Sequence, residues 1–187
     1  MIRHVLRCGA IAVCLGTSPG ALAAPSNPNP FADFLNLFQM QAVPREVVSF
    51  RGRYAPGTVV ISTGQRRLYY VLGGGQAIRY GVGVGREGFS WTGTKTVTMK
   101  REWPDWRPPP QMLRRRPDLP RYMPGGIENP LGARALYLGS SLYRIHGSNE
   151  PDTIGAAVSS GCIRMTNRDV QDLYNRVRVG TRVVVTP

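Results

Sequence analysis

From Gly57 onward the apolar residues come in short β-rich runs separated by glycine, at 58–62, 67–72, 77–84 and 94–100. Valine, isoleucine, tyrosine and threonine dominate these runs, and Gly64-Gln65 and Gly73-Gly74-Gly75 sit where turns are needed, so the pattern predicts a meander of strands. In Thr94-Lys-Thr-Val-Thr-Met-Lys the alternation predicts one packed face and one wet face. Further strands are predicted at 135–138, 141–145 and 182–185. Between the last two the period lengthens. Val170, Leu173, Tyr174 and Val177 share one helical face, Thr166 opens the run as a polar cap, Asp169 lies in its first turn and Gly180 follows its end. These elements predict a mainly β, sandwich-like domain with one covering α-helix.

One long stretch fits neither period. Residues 101–130 hold eight prolines, two tryptophans and the run Arg114-Arg115-Arg116. A loop of that length inside a compact domain is ordinarily functional or disordered, and it is read here as a Pro-rich capping lid. Trp103, Trp106 and Tyr122 would form an aromatic wall beside a substrate, although rings that clamp a loop onto its own core give the same composition.

The chain ahead of the domain divides in two. Arg3 and Arg7 give a basic start, 8–15 an apolar run, and Ala21-Leu22-Ala23 a small-x-small site, so 1–23 reads as a secretory signal cleaved after Ala23. The apolar run is too short to cross about 30 Å of hydrocarbon, so no stable membrane insertion is expected. Cys8 and Cys14 would leave with the signal, and the residues before Cys14 do not suit lipid attachment. Residues 24–46 read as a linker, proline-rich and extended over 24–30, followed by a short amphipathic segment with Phe31, Phe34, Leu35 and Phe38 at helical spacing. That segment would dock on the domain's own surface, on a partner or on a membrane surface. The domain itself spans 47–187.

Charge narrows the partners. The formal charge of +13 includes two arginines of the expected signal, leaving +11 on the mature chain. Basic residues are scattered and no nucleic-acid motif accompanies them, so an anionic cell-envelope polymer suits a secreted chain better than nucleic acid. A generally basic, arginine-rich composition would carry the same charge.

Without the signal segment the chain keeps one cysteine, Cys162, and one histidine, His146. A thiolate is a strong nucleophile but is sparse at neutral pH while the thiol pKa sits near about 8.5, so a catalytic cysteine needs an imidazole or a positive field beside it. An unpaired cysteine in an oxidising compartment is buried, intermolecular or reactive. Ser159, Ser160 and Gly161 precede Cys162; the glycine would permit a sharp turn, and the amides of Gly161 and Cys162 would donate to an oxyanion. Arg164 supplies positive charge, and His146 would take and return a proton. An inert buried cysteine and a histidine in a turn remain open from spacing alone. Metal binding is disfavoured, because one Cys and one His give two ligands where zinc takes three or four, and Glu150 and Asp152 read as solvated. Ser159 and Ser160 lack the Gly-x-Ser-x-Gly elbow of a serine nucleophile.

The string from His146-Gly147-Ser148 through Ser159-Ser160-Gly161-Cys162-Ile163-Arg164-Met165, with the helix after it, closely resembles the signature of the L,D-transpeptidase catalytic domain, the YkuD family. Ala55-Pro-Gly-Thr-Val-Val-Ile-Ser-Thr, Tyr80-Gly-Val-Gly-Val-Gly-Arg-Glu-Gly, Pro124-Gly-Gly and Asn129-Pro-Leu-Gly-Ala strengthen the resemblance, which covers the chain from about Val47 onward. It implies a periplasmic, cell-wall-associated enzyme with no cofactor. Cys162 would attack a peptidoglycan tetrapeptide stem between diaminopimelate and the terminal D-alanine, and an amine would resolve the thioester. The acceptor would be a second stem or an envelope protein. His146 would be the base, oriented by the main-chain carbonyl of Gly147; Gly161 and Cys162 would line the oxyanion hole, with Arg164 positioning the loop or a substrate carboxylate. Ser159 and the three capping aromatics would contact substrate. Many relatives carry a histidine where this chain has Ser160, whose hydroxyl would hold a nearby backbone or substrate group. A hydrolase that gives the acyl group to water, and a non-catalytic wall-binding module, are the competing expectations.

Overall fold

The computed structural model describes residues 43–187. The expected signal segment, most of the linker and the Phe31 to Phe38 face lie outside the described residues. The fold is mainly β, as the run pattern predicts. Nine strands form one hydrogen-bonded sheet in the order β1 (Glu46–Ser49), β4 (Gln76–Gly81), β3 (Arg67–Gly73), β2 (Val59–Ser62), β11 (Arg182–Thr186), β6 (Gly93–Glu102), β7 (Arg134–Leu138), β8 (Arg144–His146) and β10 (Ile163–Arg164). A separate pair joins β5 (Val84–Gly85) to β9 (Ala157–Ser159) in parallel. The helices are α1 (Pro110–Arg115) and α2 (Asn167–Arg176).

Strand β6 makes the sheet sandwich-like. Its first residues pair with β11, from Gly93 against Val185 to Thr96 against Arg182, and its remainder pairs with β7. A register shift falls between Val97 and Met99, where the two halves of the sheet part. One buried cluster takes Val59, Ile61 and Leu68 from the first half and Leu136, Leu138 and Ile145 from the second, with Val170 and Leu173 of α2 closing it. The alternation predicted along β6 is interrupted by that shift. Val97 is buried, Met99 is exposed, and Lys100 turns toward α2, where its Nζ donates to the carbonyls of Tyr174 and Val177 at 2.6 Å each. These are carbonyls near the helix C-terminus, so a cation there satisfies groups the helix itself leaves unbonded.

Helix α2 forms as its sequence predicts. Thr166 Oγ1 accepts the Asp169 amide at 3.1 Å, and Val170 and Leu173 face the core. The buried Tyr80 hydroxyl donates to Asp172 Oδ2 at 2.6 Å, and the same oxygen accepts Arg176 Nε at 2.9 Å, tying the sheet to the helix. Arg45, just ahead of β1, lies 3.5 Å from Asp172 and 3.7 Å from Asp169.

The differences from the predicted elements lie mostly at short strands. The run at 77–84 splits, because Gly83 leaves the ladder to exchange backbone hydrogen bonds with Arg164. The strand expected at 141–145 is Arg144–His146, preceded by a turn in which Ser141 Oγ donates to the Leu138 carbonyl at 2.5 Å. Strands β1, β9 and β10 and helix α1 were not predicted.

Candidate active site

Parallel pairing of β8 with β10 sets the site. Ile145 lies beside Ile163 and His146 beside Arg164; one residue back, the same register brings Cys162 alongside Arg144. Side chains alternate along a strand, so Arg144 and His146 project from one face. Cys162, His146, Arg144 and Arg164 all line a cleft of about 740 Å³.

The turn that presents Cys162 is held from within. Gly161 has φ +105°, and a Cβ there would come within 2.5 Å of the Tyr143 ring, so only glycine fits. Tyr143 stacks on Trp91 with centroids 4.6 Å apart, and Trp91 Nε1 donates to the Gly161 carbonyl at 2.8 Å. The buried Ser159 hydroxyl donates to the Cys162 carbonyl at 2.6 Å and accepts the Gly161 amide at 3.0 Å. Ser159 therefore closes the turn, and the Gly161 amide, expected to serve an oxyanion, is committed to it. No protein acceptor takes the Cys162 amide among the described residues. Ser160 lies on the cleft wall.

His146 is 4% exposed, and its Nδ1 sits 2.6 Å from the Gly147 carbonyl oxygen. A carbonyl only accepts, so in the neutral ring Nδ1 carries the hydrogen and Nε2 keeps a lone pair. Gly147 itself is tightly enclosed: a Cβ there would lie 2.2 Å from Asn167 Oδ1, the atom that accepts the Ala133 amide at 2.8 Å. Burial pushes the His146 pKa down to about 3; the bond to Gly147 opposes this, and the nearby Arg164 and Arg144 charges add to it. The imidazole is neutral throughout the physiological range.

Cys162 keeps partial exposure to the cleft, and its Sγ donates weakly to the Leu142 carbonyl at 3.7 Å. Protein atoms crowding the sulfur push the thiol pKa up, while the backbone and guanidinium of Arg144 and the charge of Arg164 pull against that. The resting pair is thus a thiol and a neutral imidazole.

Arg164 is restrained. Its Nη1 donates to Glu150 Oε2 at 2.8 Å, and its backbone bonds reciprocally with Gly83. Glu150, read as solvated, is exposed but forms this ion pair; Asp152 is exposed in the 3-10 turn Pro151–Thr153. Among the described residues no three His, Cys, Asp or Glu side chains assemble as metal ligands. No described helix is long and apolar enough to cross a membrane.

Segment 101–130 roofs the cleft. Of the three aromatics expected there, Trp106 lines the cleft, while Trp103 and Tyr122, 44% and 48% exposed, are not among its lining residues. Arg107 stacks over Tyr122, 4.6 Å from the ring centroid. Phe89, Leu119 and Tyr143 are among its other apolar lining residues. What pins the roof is polar. The buried Asn129 donates through Nδ2 to the carbonyls of Pro104, Met123 and Pro124 at 2.9–3.2 Å, and its Oδ1 accepts the Leu131 amide at 2.9 Å. Trp106 and Met123 exchange backbone bonds at 2.8 and 2.9 Å.

Two residues of consequence were given no role of their own by the sequence: Asn129, quoted only within a motif, and Arg144. Arg144 carries the signal of standing two positions before His146 on one strand, and Asn129 that of an Asn-Pro pair that also reads as an ordinary turn.

Residues 56–185 match the YkuD family, described as the L,D-transpeptidase catalytic domain. "Probable L,D-transpeptidase ErfK/SrfK" of Escherichia coli K12 is 38% identical over 136 residues, which is 68% of this chain and 43% of that protein. "Probable L,D-transpeptidase YbiS" of the same organism is 40% identical over 135 residues, with the same coverages. The chain thus spans less than half the length of these curated relatives. Among solved structures, an L,D-transpeptidase from Mycobacterium smegmatis superposes with TM-score 0.58 at 18% identity, covering 71% of this chain and 59% of that one, a likeness of fold. A Brucella melitensis protein described as a probable carnitine operon oxidoreductase superposes with TM-score 0.53 at 44% identity, covering 81% of this chain and 99% of that one.

Proposed function

As a member of the YkuD family of L,D-transpeptidase catalytic domains, this chain is, we propose, a cysteine acyltransferase that acts on peptidoglycan stem peptides in the periplasm after export. The observation that carries the reading is the bond between His146 Nδ1 and the Gly147 carbonyl at 2.6 Å, which leaves Nε2 as a base in the cleft that Cys162 shares.

The chemistry follows from the resting protonation. Because thiol and imidazole are both neutral, Nε2 takes the thiol proton as Sγ attacks the diaminopimelate carbonyl, so charge separation and bond formation are coupled. The carbonyl oxygen becomes an oxyanion, for which the Cys162 amide is the available backbone donor. Collapse breaks the amide bond, and the imidazolium returns its proton to the departing D-alanine amine. The thioester is then attacked by the amine of a second stem, His146 takes the proton lost from nitrogen, and the thiol is regenerated. An envelope protein's amine would follow the same path. Water as acceptor would give an L,D-carboxypeptidase instead.

Intact mass of residues 24–187 after mixing with a disaccharide-tetrapeptide, and separately with a carbapenem, tests the reading. A covalent adduct that vanishes in Cys162→Ala, together with a cross-linked dimer, is the expected result. Shortened stems alone would assign hydrolysis. A folded protein that forms no adduct, and binds sacculi in a salt-sensitive way that ignores Cys162→Ala, would instead be a wall-binding module.

A further inference from the structure

Four arginines line the cleft, and two of them are paired with carboxylates. Arg116 is paired with Asp118, with Nε and Nη2 donating at 2.9 and 2.6 Å. Arg164 is held by Glu150. Arg115 lies over the Phe89 ring, 5.3 Å from its centroid. Arg144 is different. It makes no ion pair among the described residues, its Nε is buried without a hydrogen-bond partner, and its guanidinium stacks over Tyr137, its cross-strand neighbour, at 5.1 Å.

A buried donor left unpaired is costly, and a guanidinium is shaped to receive a carboxylate through two parallel bonds. The strand register places this free cation beside the sulfur, on the same face as His146. We propose that Arg144 is the specificity-determining residue of the site, binding a carboxylate of the acyl donor next to the bond that Cys162 attacks, while Arg164 only positions the motif loop through Glu150. This deepens the acyltransferase reading and rests on it for the identity of the donor. Two carboxylates of a tetrapeptide stem flank that bond, one at the terminal D-alanine and one on the diaminopimelate side chain, and both present the same chemistry. The stack on Tyr137 restrains the guanidinium plane before substrate arrives, which lowers the ordering cost of binding.

The first test needs no transpeptidation. Cys162 is alkylated with iodoacetate and with iodoacetamide at one pH, and the ratio of the two rates is read; because both reagents use the same thiolate, the ratio cancels any change in thiol ionisation. In Arg144→Gln the relative preference for the anionic reagent should fall about tenfold, the scale of a partly buried charge-assisted contact. Arg144→Lys should keep most of it, and Arg144→Met replaces the Gln variant if only Met preserves the wild-type melting temperature. An unchanged ratio in a folded, charge-removed variant overturns the proposal. The second test compares stems amidated at the terminal D-alanine with stems amidated at diaminopimelate. The amidation that slows acylation in the wild type but not in Arg144→Gln identifies the carboxylate bound, and equal sensitivity in both proteins overturns the proposal. A shifted alkylation ratio with no acylation by any stem would uphold the anion site and sink the acyltransferase reading.

Discussion

The floor and the roof of the cleft are held by different physics. The floor is the end of the sheet: β8 is paired on both sides, backed by Leu136 and Ile145 that no solvent reaches, and its cleft-lining residues Arg144 and His146 are set by strand register. The roof, segment 101–130, has one six-residue helix with no buried residue, several exposed arginines and one buried asparagine that gathers four backbone groups. Removing a contact in the floor should cost global stability, because it opens a close-packed core. Removing the pin of the roof should free a local segment, because little apolar area holds it down.

The largest effect should come from Leu136→Ala. A fully buried leucine in the shared core loses about 2–5 kcal/mol on truncation, and urea unfolding should show this as a lower midpoint with an unchanged slope. A loss below about 1 kcal/mol would mean that the two halves of the sheet are not packed as one core.

Asn129→Ala should cost about 2 kcal/mol, since carbonyls held by its amide would lose their partner in a partly buried setting. The loss should be confined to the roof. Limited proteolysis inside 105–128 should accelerate at least about tenfold, by the ratio of about 1.4 kcal/mol to each factor of ten, while amide exchange in β2, β7 and β11 stays unchanged. Equal acceleration in the sheet would make floor and roof one cooperative unit.

Acid distinguishes them as well. The buried, neutral His146 resists protonation down to about 3, whereas in the unfolded chain it takes a proton near its ordinary 6.5. Stability from this residue is therefore complete above about pH 6.5 and is lost progressively as pH falls toward about 3, at up to about 1.4 kcal/mol per pH unit. At pH 5 the loss should be on the order of 2 kcal/mol relative to pH 8. His146→Gln should remove that part of the slope in denaturant titrations at the two pH values, and an unaltered slope would show that the imidazole is not held neutral.

The smallest effect belongs to Lys100→Met, which strips two carbonyls near the C-terminal end of α2 of their cation for a loss of about 1 kcal/mol. Thermal unfolding should detect it as a drop of a few degrees, and no drop would mean water replaces the ammonium without penalty.

The same division explains what could be read from the chain. Strands β2, β3 and β11 announce themselves as runs of β-branched, aromatic and aliphatic residues, and helix α2 by the one face that it buries. Strands β9 and β10, three residues and two, are too short to carry a period, and their partners β5 and β8 are remote in sequence, so only the assembled fold reveals them. Cys162 and His146 were legible as the chain's own scarce chemistry together with a resemblance. The commitment of the Gly161 amide to Ser159 was not, since it depends on a hydroxyl turning inward. Arg144 was hidden among arginines of similar appearance, and what separates it is a buried, unpartnered Nε at the register position beside Cys162. Trp103 and Tyr122 were singled out for their rings, yet a Pro-rich segment presents both of its sides, and residue type does not say which side faces the cleft.

Strand β11 lies between β2 and β6, and the Thr186 hydroxyl donates to the Ile61 carbonyl across 125 positions of sequence. Only β11 pairs with both β2 and β6, so the ladder is continuous across the two halves of the sheet only when that strand is in place. Without it β2 and β6 would each present an unsatisfied edge, and closing the long loop between β2 and β11 slows folding. The nine-stranded ladder is thus closed by long-range pairing, and it stays in two pieces for as long as β11 has not docked between β2 and β6.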